Sequence, residues 1–164
     1  MPDAASIRIA PTLSAEERRA LRCLAALMIP ASDEYGVPGA DDEAIFADIV
    51  RSLGRDADAV RRALRRLDEL SLGASGGLPF ADLPTEERGA LAQRLRDEQP
   101  ALAAVLVAAV VRCYYRDDRV MRSLGMEPRP PFPRGFEVEQ GDWSLLEPVR
   151  ARGPIWRGGG NDRQ

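Results

Sequence analysis

A chain of 164 residues with a net charge of −3 holds one domain with a real core plus an appendage, and that charge argues against nucleic acid and anionic membrane as default partners. Histidine and lysine are both absent and all 23 basic residues are arginine. This excludes Schiff-base chemistry and a phosphate-loop lysine, and it removes the usual general base and commonest metal ligand. What is left for catalysis is Asp/Glu acid–base work, tyrosine, or a cysteine without a histidine.

Residues 1–12 read as a mobile or draped arm, with no apolar core of a signal peptide and no twin-arginine pattern. The first helix starts at Ser14, and Glu17 three residues later completes a capping box. Leu21, Leu24, Leu27 and Met28 recur at helical spacing until Pro30 stops the helix. A loop rich in turn formers, ASDEYGVPGADD, follows. The second helix, about Asp42 to Leu53, is expected to bury Ile45, Phe46, Ile49 and Leu53, with Gly54 as its C-terminal cap. The third, about Asp56 to Leu72, turns Val60, Leu64, Leu67 and Leu70 inward. Its arginines 61, 62, 65 and 66 could meet an anionic ligand but interleave with Asp58, Asp68 and Glu69, as on a solvated face.

The segment GASGGLPFADLP reads as a flexible loop. It lacks GxGxxG order and follows no strand, so a phosphate cradle is not expected. The fourth helix begins at Thr85 with Glu86 and Glu87 at the positive end of its dipole. LSAEERRAL and LPTEERGAL look alike through shared helix-start chemistry rather than a repeat. The fifth helix opens at Pro100, and its run from Ala101 to Val111 is apolar all round, which predicts a central, fully buried helix that continues to Leu124 and Gly125. Eleven apolar residues are too few to span a bilayer. No region alternates as a strand does. The fold class is therefore all-α: a bundle of about five helices over residues 1–125, and an extended Pro/aromatic-rich arm over 126–164.

That arm is the least ordinary part of the chain. It carries six prolines from Pro128 to Pro154, which rule out a long helix or a central strand. It also carries Phe132, Phe136, Trp143 and Trp156, an aromatic load that linkers and disordered tails lack. Fully extended, Met126 to Arg157 would reach roughly 100 Å at about 3.3 Å per residue. Its anchors either fold back on the chain's own helices or clasp another protein.

Candidate chemistry is sparse. Tyr114, Tyr115, Asp117, Asp118 and Arg119 form the densest polar cluster, but adjacent helical carboxylates diverge by about 100° and make no dyad by themselves. An Asp that orients an Arg and caps backbone is the simpler reading. Asp33, Glu34, Asp41 and Asp42 lack the order of a calcium loop. Cys23 and Cys113 lie in apolar helical runs and read as reduced thiols packed as small hydrophobes, too few for a metal site.

Three stretches together resemble a known family. LRCLAALMIPASDEYGVPGA near the start, YYRDDRVMRSLGMEPRPPFPRGF, and WSLLEPVRARGPIWR near the end are similar to gluconate 2-dehydrogenase subunit 3, the small accessory subunit of flavoprotein sugar dehydrogenases. The resemblance implies a non-catalytic chain with no cofactor or metal of its own. It implies a large partner of the glucose–methanol–choline (GMC) type that holds FAD and oxidises a sugar, sugar acid or glycoside. It leaves room for a cytochrome c electron acceptor reached through that partner. On this reading Tyr114, Tyr115, Arg119, Phe132, Phe136, Trp143, Leu146, Arg150 and Trp156 meet the partner, and no residue is catalytic. Such subunits often carry a twin-arginine export signal. Without one here, the expectation is a cytoplasmic complex, or a periplasmic one where the partner supplies the signal. The rival readings are a transient folding or export chaperone of the flavoprotein, and a small independent enzyme built on Tyr114, Tyr115 and Asp117.

Overall fold

A computed structural model describes residues 13–74, 76–130, 132–137 and 139–152. The expected arm at 1–12 and the anchor Trp156 lie outside the described residues. Among the described residues there are seven α-helices: α1 (Ala15–Met28), α2 (Glu43–Ser52), α3 (Ala57–Ala74), α4 (Thr85–Glu98), α5 (Pro100–Tyr114), α6 (Asp118–Ser123) and α7 (Glu147–Ala151). The protein is all-α; beyond an isolated bridge between Ser32 and Val37, no strand pairing occurs among these residues. The chain divides into two units, residues 1–128 with α1–α6 and residues 129–164 with α7.

The first unit is built as its local chemistry dictates. Ser14 accepts from the Glu17 amide at 3.1 Å while Glu17 accepts from the Ser14 amide at 2.8 Å, so the capping box of α1 is closed. Asp42 caps α2 by accepting from the amides of Ala44 and Ile45. α4 shares the acidic first turn of α1 but has Pro84 at its cap position and no side-chain cap, so the two look-alike segments start differently. The apolar faces converge on one core: Leu21 and Leu24 of α1, Ile45 and Ile49 of α2, Leu64 and Leu67 of α3, Leu95 of α4, and Val110 of α5 are all buried. Between α1 and α2 the chain turns tightly at Gly39, where a Cβ would sit 2.5 Å from Asp41 Oδ1 and 2.9 Å from the Ala31 amide nitrogen.

Four expectations change. The glycine-rich loop after α3 is pinned rather than loose in its second half. Phe80 is fully buried, its amide donates to Asp68 Oδ1 at 3.0 Å, and the Ser71 hydroxyl donates to the Leu78 carbonyl at 2.6 Å. Asp68 is thus occupied with the loop and is not part of a solvated charge row. The arginines of α3 also do more than face solvent, since Arg61 reaches Glu17 of α1 and Arg66 reaches Glu98 of α4.

The fifth helix is shorter than expected. It ends at Tyr114, and Asp117, in an extended conformation, captures the Arg119 amide at 2.9 Å and starts α6 as a separate helix. α6 closes with a Schellman motif in which the Gly125 amide donates to Arg122 and the Met126 amide to Met121, with Gly125 at φ +72°.

Nor is α5 fully buried. Ala103, Leu106, Val110 and Cys113 form one inward stripe against α2, α3 and α4, while Ala104 and Ala108 are exposed and Val107 is 44% exposed. The three neighbours that cover α5 all use its inward stripe, and an apolar sequence cannot by itself supply a fourth. Val107→Asp is accordingly expected to change stability by no more than about 0.5 kcal/mol, whereas Val110→Ala costs about 2 kcal/mol; urea unfolding of the two variants checks this.

Candidate partner-binding surfaces

The polar cluster after α5 is a clasp between helix starts. The Arg119 guanidinium binds Asp42 through both terminal nitrogens, at 2.7 and 3.2 Å, and Asp117 through Nε and a terminal nitrogen, at 3.0 and 3.1 Å. The two carboxylates that cap α2 and α6 are therefore tied by one arginine. Beside it, Arg116 donates to Asp48 Oδ2 at 2.7 Å and also reaches Ser52 of α2. Tyr114 is 4% exposed and Tyr115 is 53% exposed, their rings meeting edge to face at 5.2 Å. Burial, with Tyr115 and Asp117 nearby, pushes the Tyr114 phenol above its ordinary range. Of the three residues proposed here as partner contacts, only Tyr115 presents a largely open side chain. Tyr114 belongs to the core, and Arg119 is engaged internally while 44% of its side chain stays accessible.

The clasp makes a pH prediction. Hydrogen bonds from Arg119 hold Asp42 and Asp117 below the ordinary carboxylate range; for Asp48 burial pushes upward, but Arg51 and Arg116 more than offset it. Arg119 is raised in turn by Asp42 and then Asp117. A depressed folded pKa means stability that is present above the unfolded aspartate value of about 3.9 and lost as pH falls through the folded value. Urea midpoints are expected to drop on acidification from about pH 5 towards pH 2, and Arg119→Met flattens that drop. An unchanged acid limb in the variant would show that the clasp does not couple to folding.

The second unit carries the aromatic anchors. Arg129 stacks over Phe136 at 4.6 Å and donates to the Gly135 carbonyl at 2.8 Å, closing a small proline-rich loop. Phe132 on that loop is 83% exposed. Further on, the expected featureless arm is partly helical: a 3-10 turn spans Trp143–Leu146 and runs into α7. The local reason is Asp142, whose Oδ1 accepts from the Ser144 amide and hydroxyl at 2.9 and 2.6 Å, together with Pro148 in the first turn of α7. Trp143 at 62%, with Leu145, Leu146 and Val149, stays exposed along this short element. Arg150 pairs with Glu147 at 2.9 Å and is open to solvent. Of the residues proposed from the sequence, Trp143 and Leu146 are thus brought together, with Leu145 and Val149 as additions that reading missed.

A further surface was not anticipated. A recess of about 840 Å³ lies between α1 and α2, floored by Phe46, Ala47, Val50 and Leu53 and rimmed by Arg18, Arg19, Arg22 and Arg51. Phe46, expected in the core, is only half-buried, with the Arg22 guanidinium 5.4 Å above its ring. The available signal was the spacing of Arg18 and Arg22, one turn apart on the same face of α1.

Comparison with protein families settles the relationship. The family model for gluconate 2-dehydrogenase subunit 3 matches residues 15–132, most of the chain. The chain belongs to the gluconate 2-dehydrogenase subunit 3 family. No curated protein and no solved structure matches it. Within this subunit 3 chain the match takes in the clasp and the proline-rich loop as far as Phe132. The element that carries Trp143 lies beyond the matched residues. Among the described residues no group of three or more histidine, cysteine or acidic side chains could hold a metal ion, and no helix is long and apolar enough to cross a membrane. Cys113 is buried and Cys23 half-buried, both as free thiols.

Proposed function

We propose that this chain is a non-catalytic small subunit that binds and stabilises a large FAD-dependent oxidoreductase of the GMC type, one that oxidises sugars, sugar acids or glycosides. Family membership supports a partner within a dehydrogenase complex. The observation that carries the reading is the exposure of Trp143, Leu145, Leu146 and Val149 within one short element. Clustered large apolar side chains in water mark contact surfaces, and tryptophan is prominent among their energetic anchors. Of the groups that an independent enzyme would use, Tyr114 is buried and Asp117 is bound to Arg119, which leaves Tyr115 open without them. FAD and the reacting alcohol are assigned to the partner.

The test is co-expression with a GMC-type flavoprotein from the same genome, followed by size-exclusion chromatography with flavin absorbance. Stoichiometric co-elution with yellow, active enzyme is expected. Separate elution, with the flavoprotein active alone, would overturn the subunit reading and leave a chaperone that departs after folding. Turnover by the isolated small chain would overturn its non-catalytic part.

A further inference from the structure

We propose that the recess between α1 and α2 is a second docking site for the catalytic subunit, which inserts a segment with a large apolar side chain flanked by carboxylates. This rests on the subunit reading above and gives it a surface on the helical unit, distinct from the Trp143 element. The chemistry of the recess defines its occupant. The floor of Phe46, Val50 and Leu53 is apolar and large enough, at about 840 Å³, to take a side chain such as Leu, Phe or Trp. The rim sets four arginines against a single glutamate, Glu43, on a chain whose net charge is −3.

Those arginines are not equally occupied. Arg19 pairs with Asp82, and Arg51 pairs with Asp48 at 2.8 Å. Arg22 donates through Nε to the Asp41 carbonyl at 3.1 Å and otherwise lies over Phe46. Arg18 has no side-chain partner among the described residues. Arg18 and Arg22 sit one turn apart on α1, so one carboxylate of an incoming segment can accept from both while its apolar neighbour covers Phe46. Arginine over an aromatic ring is also already desolvated on one face, which lowers the cost of burying it under a partner.

Charge complementarity separates the possible occupants. Two copies of this chain packed face to face through the recess would set Arg18 and Arg22 against their own copies, a like-charge contact. A small free anion would find the arginines but leave the apolar floor wet. A protein segment that carries both features satisfies both.

The test uses the co-purified complex. A photo-cross-linking amino acid at Ala47, an exposed position on the floor, is activated and the joined peptides are sequenced. A cross-link to a catalytic-subunit peptide with Asp or Glu beside a large apolar residue is expected. In parallel, Arg18→Glu/Arg22→Glu lowers affinity for the catalytic subunit at least tenfold and weakens its salt dependence, while Arg65→Glu on α3, outside the recess, changes affinity less than twofold; circular dichroism confirms that each variant folds. An intact complex whose Ala47 cross-links only to this chain, or to nothing, overturns the docking site and leaves the subunit reading standing. Equal affinity of the double variant and wild type does the same. Failure to obtain any complex overturns both.

Discussion

Replacing Trp143 by alanine weakens the complex with the catalytic subunit by about 30-fold or more, the loss of about 2 kcal/mol that a tryptophan anchor typically carries. The indole stands largely in solvent, held among the described residues by a 3.4 Å hydrogen bond from Nε1 to Gln140, so its removal takes little from the free subunit. The effect should therefore appear in the dissociation rate, not in the unfolding of the small chain. Titration of the catalytic subunit with wild type and variant, followed by biolayer interferometry, gives the number. Asp118→Asn provides the contrast. Asp118 forms an exposed ion pair with Arg122 one turn on, and its loss is expected to leave both affinity and turnover within about twofold. If the Asp118 change slows turnover more than the Trp143 change weakens binding, the accessory reading fails.

Phe80→Ala is expected to cost about 3–5 kcal/mol of stability, a large share of the roughly 5–15 kcal/mol that holds such a domain together. Phe80 is among the largest fully buried side chains, and it sits in the link between α3 and α4 rather than in a helix. Its ring plugs the core while Ser71 and Asp68 of α3 hold the loop backbone at Leu78 and at Phe80 itself. Truncation would leave a cavity beneath this loop. Urea unfolding would show a lower midpoint with an unchanged slope if the loss is one of packing alone. A cost below about 1 kcal/mol would mean that the loop collapses freely into the space and does not organise the α3–α4 pair.

Much of this was legible in the sequence because the deciding physics is local. The Ser14–Glu17 box, the Asp42 cap, Pro30 and Pro100 act over a single turn, and the 3.6-residue period of Leu21–Leu24 or Leu64–Leu67 marks which face of a helix turns inward. Other features depended on partners distant in the chain. Asp117 could be suspected of capping or of orienting an arginine, but only the fold showed that Arg119 also reaches Asp42, across 77 positions. Phe46 carries the same apolar signal as Ile45, yet one is a groove floor and the other core, because the difference is which neighbour happens to stand over it. The break between α5 and α6 was missed for a subtler reason: Tyr115–Arg116–Asp117 has no proline or glycine, and the stop comes from a side-chain cap competing with helix continuation.

The sequence by itself determined an all-α chain with little catalytic inventory and an anchor-rich C-terminal segment, since composition, capping and periodicity are properties of residues and their near neighbours. The tertiary structure alone decided which apolar residues stay in water. Whether Val107 is core or surface and whether Arg18 and Phe46 share a recess both follow from how many elements are present to cover each face, and no single segment encodes that number.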